Sequence, residues 1–262
     1  MSSINFLNYF QLVDAPVGKN LDNPNNIYFF RSVLQQKYIL RKIYEKFYAD
    51  ILDKLKNFPK NELFIEIGSG ASFLKEIASF FTTSDLMPYK GVDKVFSAMN
   101  IPLFDNSVTT FAMVNVFHHV KDSEQCLSEM NRCLKDGGKI ILVEPSNTLF
   151  SSFIYRFLHH EDFDTTIKSW KITSGGPLSG ANMALPWIVF KRDRKLFESK
   201  FPSLKITSIK IHTPFSYIIS GGFSMKQLIP SWSYPLLKAF EKIISPLDFL
   251  FGMFMTIELT KI

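Results

Sequence analysis

Cysteine is scarce: Cys126 and Cys133 are the only two in 262 residues. That excludes a disulfide framework and any thiolate metal cluster, and it suits a chain kept in the reducing cytoplasm. Residues Met1–Asn8 lack the basic start and apolar run of a signal peptide, so a cytoplasmic location is expected. No uninterrupted stretch of roughly 18 apolar residues occurs, which excludes a spanning helix. The most apolar stretch, Ile243–Met255, is broken by Pro246, Asp248 and Gly252. Charge is close to balanced, with a net +6. That excess suits a solvated surface as well as an anion-binding patch.

The pattern that is present alternates strands with helices. Residues 1–25 read as irregular, crowded with Pro16, Gly18, Asn20, Asn23, Pro24 and Asn25. Apolar residues recur at helical spacing from Ile27 to Leu55. Strands are expected over Leu63–Ile67, Thr82–Leu86, Thr110–Asn115 and Lys139–Glu144. Helices are expected over Ala71–Phe81 and Asp122–Leu134. Lys205–His212 and Gly252–Lys261 read as two further strands. This order predicts an α/β fold, Rossmann-like and doubly wound, with a mostly parallel sheet and an antiparallel last strand. A single domain over 1–262 is expected. It comprises a helical cap (27–57), a core (63–146) and two acceptor-side insertions (147–204 and 213–251).

The most informative segment is Phe64-Ile65-Glu66-Ile67-Gly68-Ser69-Gly70-Ala71-Ser72. An apolar strand runs into a Gly-x-Gly turn, where glycine lets the backbone take positive φ and approach a ligand. Asp85 ends the next strand, where an acid can accept bonds from ribose hydroxyls. A nicotinamide site would want a third glycine where Phe73 stands. A phosphate-binding P-loop would want a Lys followed by Ser or Thr. Glu66 disfavours a pyrophosphate and suits an ammonium group. These residues point to a ligand with both a ribose and a free amine.

With Glu66-Ile-Gly-Ser-Gly, three more segments stand in a fixed order: Ile101–Ser107, Val114–Val120, and Leu134-Lys135-Asp136-Gly137-Gly138-Lys139. Together they make residues 63–146 resemble the class I S-adenosylmethionine-dependent methyltransferases, in the type 11 or quinone-biosynthesis branch. The resemblance implies that Glu66, Gly68, Ser69 and Gly70 hold the methionine end of S-adenosylmethionine. It implies Asp85 and Leu86 at the ribose, Ser97, Ala98 and Met99 along the adenine, and Asn115 and His118 beside the sulfonium. Three departures stand out. Ser72 occupies a frequent glycine position, and Ser97 stands where many relatives have an acid. The stretch from Asp85 to Ala98 is too short for the usual helix and third strand, so a loop is expected there.

Methyl transfer is a displacement that needs orientation and sometimes a base. His119, His159, His160 and Glu161 are the candidate catalytic residues. His118 and His119 are expected at a strand end, where neighbours point opposite ways, so one of them would reach the site. No metal is expected, because no further ligand cluster is evident. The Asn-Pro-Pro-Tyr type of tetrad is absent after the fourth strand, which lowers the case for a nucleobase or amide acceptor. The acceptor is expected to be a small molecule, a glycan or a lipid-linked compound, with O-methylation as the chemistry. The segment 170–200, including Ser179–Asn182 and Lys191–Arg194, is expected to wall the acceptor side. The tail from Thr213 to Phe251 is rich in aromatics, and Leu236–Ile244 reads as an amphipathic helix. That helix suits packing on the sheet, a greasy acceptor pocket or peripheral contact with a membrane. Ile27–Arg31 and Ala184–Phe190 faintly resemble methyltransferases of glycan or surface-polysaccharide pathways. A nucleic-acid methyltransferase and a non-catalytic S-adenosylmethionine-binding protein remain the alternatives. Oligomeric state is left open.

Overall fold

The computed structural model describes residues 11–12, 14–16 and 21–262. The rest of the irregular segment expected over 1–25, including Gly18 and Asn20, lies outside the described residues. Seven strands form one sheet: β1 (Phe64–Ile67), β2 (Phe81–Asp85), β3 (Lys94–Val95), β4 (Val108–Val114), β5 (Leu134–Pro145), β6 (Leu204–His212) and β7 (Phe254–Lys261). Their order is β3-β2-β1-β4-β5-β7-β6. All neighbours are parallel except β7, which runs antiparallel to both β5 and β6. The doubly wound fold expected from the alternating pattern is therefore present. Strands β1, β4 and β5 are buried on both faces, as helix-covered parallel strands must be.

The helical cap differs from its expectation. Helices α1 (Asn26–Gln36) and α2 (Tyr38–Asp53) replace one continuous helix. The break falls at Lys37, whose backbone is extended at φ −88° and ψ 98°. Its ammonium is drawn to the loop beyond β6, where it donates to the carbonyls of Gly222 and Met225, the latter at 2.7 Å. Helix α2 lies over the sheet with Phe47, Tyr48 and Ile51 buried.

Two more expectations are corrected on the nucleotide side. The helix expected over Ala71–Phe81 is reduced to one turn, α3 (Leu74–Ile77). Ser72 is held by Glu66 and caps the Leu74 N–H, which delays the start. Phe81 is claimed by β2, where it pairs with Phe64 and packs ring to ring at 5.6 Å. The third strand, in turn, exists. Lys94 and Val95 pair in parallel with Ser84 and Asp85. The Asp93 carboxylate pins the junction by accepting from the N–H and hydroxyl of Thr83, both at 2.8 Å. Only the intervening helix is missing.

Past β4, α4 (Ser123–Cys133) is capped by Asp122 and buries both free cysteines. Helix α5 (Leu149–Phe157) follows β5 behind a Thr148–Ser151 capping box. Helix α6 (Arg194–Lys200) precedes β6. Between β6 and β7 lie α7 (Ser216–Ser220), α8 (Tyr234–Ile244) and α9 (Asp248–Phe251). Helix α8 does not pack as a sheet-facing amphipath should. Leu236, Phe240 and Ile243 are 67%, 50% and 77% exposed, and its one buried side chain is Glu241.

The core centres on β5. Leu142 is fully buried between Met113 of β4 and Ile257 of β7. Leu142→Ala is expected to destabilise the fold by about 2–5 kcal/mol. Urea unfolding followed by circular dichroism checks this, and a loss under about 1 kcal/mol would show that the site collapses around the missing atoms.

Candidate active site

Strand order reverses between β1 and β4, and ligands in such sheets bind beyond the carboxyl ends at that point. A cavity of about 1120 Å³ lies there. Every expected site residue lines it: Glu66, Gly68, Ser69 and Gly70 after β1, then Asp85 and Leu86 after β2. Ser97, Ala98 and Met99 follow β3, Asn115, His118 and His119 follow β4, and His159, His160 and Glu161 follow α5. The 213–251 insertion contributes through Tyr217–Leu228. The 170–200 segment is split. Leu178, Ser179 and Ala181 line the cavity, whereas Lys191–Arg194 flank a separate shallow hollow and do not wall the site.

At the glycine turn, Gly68 and Gly70 have φ of 66° and 36°. A Cβ on Gly68 would lie 2.6 Å from both methyls of Val116, so that position is closed to side chains. Asp85 bridges the turn, accepting from the Gly70 N–H and the Met87 N–H at 3.0 Å each. Burial pushes the Asp85 carboxyl upward.

Glu66 is buried beside this turn. Its Oε1 accepts from Ser72 Oγ at 2.6 Å, and Ser72 in turn accepts from Tyr48 at 2.9 Å. The serine at the frequent glycine position thus orients the glutamate. Glu66 Oε2 has no partner at all. Burial pushes this carboxyl up to about 8. A buried, unpartnered carboxylate oxygen is costly unless a ligand meets it.

The other end of the cavity is a cluster of imidazoles around Glu161. His118 and His119 do not end an extended strand. They sit in a 3-10 turn, Phe117–His119, with ring centroids 4.2 Å apart. Neighbours in such a turn do not alternate, so both rings reach the same place. His118 Nε2 is 3.5 Å and His119 Nε2 3.7 Å from the Glu161 carboxylate. His160 and His159 approach it at 3.8 and 4.0 Å. Among the described residues, His118, His119 and Glu161 could hold a metal, their ligand atoms lying within 4.8 Å of one another. The expectation that no ligand cluster exists is therefore corrected. The fold assembles it from segments some forty residues apart.

Burial by itself disfavours the His118 imidazolium, but the flanking Glu144 and Glu161 outweigh it and hold its pKa at about 9. His119 is pushed down to about 4 by burial and by the charge of His118. Burial also takes His159 to about 4. Burial raises Glu161, but bonding to His118 and the surrounding histidines reverse this and hold it well below the usual carboxylate range.

Three cavity-side residues escaped the sequence reading. Glu144, fully buried at the end of β5, accepts from the N–H groups of Val116 and Phe117 and bonds His118 Nδ1 at 2.6 Å. An acid closing the apolar run Ile140–Val143 was its signal. Tyr44 accepts from Asn115 Nδ2 at 3.0 Å, and Asn115 takes a φ of 57°. Tyr89 bonds Ser69 Oγ at 2.6 Å beneath the Arg31 guanidinium. Neither tyrosine has a sequence signal beyond lying near the motifs.

Known proteins bear on this geometry. A family model described as "Methyltransferase domain" matches residues 71–142. The match spans the cofactor side of the sheet, from the glycine turn to β5. The fold of the chain is that of the class I, S-adenosylmethionine-dependent methyltransferases. Similar solved structures include a putative sarcosine dimethylglycine methyltransferase from Galdieria sulphuraria, 14% identical, with a TM-score of 0.51 over 90% of this chain and 98% of that one. A possible histamine N-methyltransferase from Thermotoga maritima is 18% identical, with a TM-score of 0.50 over 90% and 99%. The geranyl diphosphate C-methyltransferase from Streptomyces coelicolor is 13% identical, with a TM-score of 0.50 over 95% and 91%. At such identities these structures bear on the fold alone. No curated protein matches the chain.

Glu66 gives a test of this candidate site that needs no ligand. Its carboxyl titrates near 8 when folded, against 4.5 for a glutamate in the unfolded chain. The unfolded chain therefore gives up its proton first, and the fold loses stability as pH rises between those values. Below about 4.5 the penalty is absent. Glu66→Gln should be more stable than the parent by roughly 4 kcal/mol at pH 8 and indistinguishable at pH 4. Urea midpoints at both pH values decide it. An equal difference at both would mean that Glu66 ionises freely.

Proposed function

We propose that this methyltransferase moves the methyl group of S-adenosylmethionine to a hydroxyl on an apolar, membrane-borne acceptor. The observation that carries the donor half is Glu66 Oε2, buried and unpartnered beside the glycine turn. It suits the donor's ammonium, while Gly68–Gly70 approach the methionine and Asp85 keeps lone pairs for the ribose hydroxyls. Ser97, Ala98 and Met99 flank the adenine, and Leu86 covers the ribose side.

When bound, S-adenosylmethionine supplies a methyl on a sulfonium: an acceptor oxygen lone pair forms the new C–O bond while the C–S pair stays on sulfur. The hydroxyl proton goes to the cluster of His119, His159, His160 and Glu161. His119 and His159 have depressed pKa values, so each offers a neutral imidazole near pH 7. Asn115 and His118, fixed by Tyr44 and Glu144, orient the floor between donor and acceptor.

The acceptor half rests on the surface beside the cavity. Leu158 and Leu228 line the cavity and are themselves about half exposed. They border a face of exposed apolar side chains: Leu149, Phe153 and Phe157 from α5, and Trp232, Leu236, Phe240 and Ile243 around α8. Phe150, Phe215 and Phe240 join the two helices through ring contacts of 5.1 and 6.0 Å. Of the two acids in the 228–251 segment, Glu241 is withdrawn from this face and Asp248 is partly buried. Glu241 is buried on the N–H groups of Phe215 and Ser216, and Asp248 has an Oδ1 with no solvent access. Lys242 stays exposed. Exposed aromatics with lysine, and an α8 whose single acid is buried, suit an anionic lipid surface.

Calorimetry with S-adenosylhomocysteine tests the donor half. Binding is expected, and Asp85→Ala should weaken it by about 1.5–3 kcal/mol, a loss of at least tenfold. Absence of binding at millimolar ligand removes the donor assignment. For the acceptor half, the full chain should sediment with vesicles containing phosphatidylserine, and the Phe240→Asp, Ile243→Asp double variant should not. Radiolabel from the donor should enter the lipid extract. Label confined to aqueous glycans or small molecules would replace the membrane-borne acceptor with a soluble one.

A further inference from the structure

Glu161 is met by more nitrogen ligands than a single proton transfer needs. His118 Nε2 and His119 Nε2 point at its two oxygens from 3.5 and 3.7 Å. All three ligand atoms fall within 4.8 Å of one another. Ligand atoms around a tetrahedral cation at about 2.1 Å are separated by about 3.4 Å, so small side-chain movements would close this set on one ion.

The far nitrogen of each ring is already committed. His118 Nδ1 lies 2.6 Å from the Glu144 carboxylate. His119 Nδ1 faces the Gly180 carbonyl at 3.3 Å, a group that can only accept. Both rings therefore carry a proton on Nδ1 and turn Nε2 toward Glu161. A histidine buttressed through one nitrogen by a carboxylate or a carbonyl, with the other turned to the site, is the arrangement of a metal ligand, and at His118 the cation would take the place of the Nε2 proton that faces Glu161. The Glu144 buttress is held in turn by two backbone N–H groups, at 2.9 and 2.7 Å.

We propose that His118, His119 and Glu161 bind a divalent transition-metal cation at the acceptor end of the cavity. Two imidazoles and one carboxylate favour Zn2+, Mn2+, Fe2+ or Co2+ over Mg2+ and Ca2+, which take oxygen ligands. Three protein ligands leave a coordination position facing the cavity, as in catalytic rather than structural sites. The function of that position rests on the proposed methyl transfer: the cation would hold the acceptor oxygen and make its hydroxyl more acidic. With a cation bound, His119 and Glu161 would be occupied as ligands, and His159 and His160, outside the three-atom set, would be left to receive the proton. The apparent excess of imidazoles is thereby divided between ligation and proton transfer.

Equilibrium dialysis of the chelator-stripped full chain against Zn2+, Co2+ and Mg2+, with metal analysis, tests the site. One equivalent of Zn2+ or Co2+ per chain is expected at micromolar free metal, with Co2+ giving the visible absorption of a nitrogen-containing site. Mg2+ should not compete at the same concentration. Glu161→Gln and His119→Ala should each weaken binding by about 100-fold or more, and Glu144→Gln by about 10–100-fold. Circular dichroism reports whether each variant is folded, and the wild-type stoichiometry decides even if a variant is not. No bound equivalent at 100 μM metal, Mg2+ bound as tightly as Zn2+, or undiminished binding by folded Glu161→Gln and His119→Ala overturns the site. Neither donor nor acceptor is present in this measurement, so its failure leaves the methyl-transfer reading standing, and the reverse holds too.

Discussion

Glu144 has no accessible surface, and its two oxygens carry three bonds that set the histidine-lined end of the cavity. Two of them fasten the N–H groups of Val116 and Phe117, the second and third residues past β4. They fold the chain into a tight turn where an extended strand would have carried one histidine away. The third fixes the His118 ring. A carboxylate buried this deeply is stable only with its lone pairs engaged. The same bonds that make it tolerable therefore dictate where His118 and His119 stand. His119 Nδ1 on Gly180 then couples the turn to the 176–183 segment, and the His118 carbonyl accepts from the Asn182 N–H at 2.9 Å.

The two ends of the cavity manage buried charge in opposite ways. Around Glu161 the carboxylate is surrounded by imidazoles and stays ionised whether or not anything is bound. Around Glu66 one oxygen is satisfied by Ser72 and the other by nothing, so its carboxyl is held neutral by burial. An arriving ammonium would reverse that balance. Part of what binding gains is spent on ionising the glutamate, and the fold without ligand forgoes stability at high pH. Active sites commonly hold such locally unfavourable groups in readiness for a ligand.

Much of the fold could be read from the chain because local signals and tertiary demands agree there. Apolar runs at Leu63–Ile67 and Lys139–Glu144 are strands in any context that buries both faces. The helix carrying Cys126 and Cys133 has its cap at Asp122. The readings that failed are those where a distant group overrides the local pattern. Lys37 breaks a helix to reach a loop some 185 residues away. Phe81 leaves a helical pattern to pair with Phe64. All fifteen expected site residues line one cavity, because glycine turns and strand ends mark positions the topology brings together. Glu144, Tyr44 and Tyr89 were missed because each acts by holding another residue. A sequence shows the residues at a turn but not which distant carboxylate fixes it.

The insertion between β6 and β7 ties these features to the exposed apolar face of α8. Its first part, Tyr217–Leu228, closes the cavity, and Lys37 secures that loop by its bonds to the Gly222 and Met225 carbonyls. Its second part turns Glu241 inward to accept the N–H groups of Phe215 and Ser216. In an amphipathic helix, facing the one acid inward rotates the apolar stripe outward, which is how Leu236, Phe240 and Ile243 come to be exposed. Solvent exposure of that stripe is unfavourable, and a packed helix would avoid it by a rotation of about half a turn. The Glu241 bonds prevent that rotation. The apolar face is thus held outward by a buried polar contact at the base of the segment that closes the cavity, so whatever covers the apolar face of α8 is mechanically linked through Phe215 and Ser216 to the position of Tyr217 and Ile218 in the cavity wall.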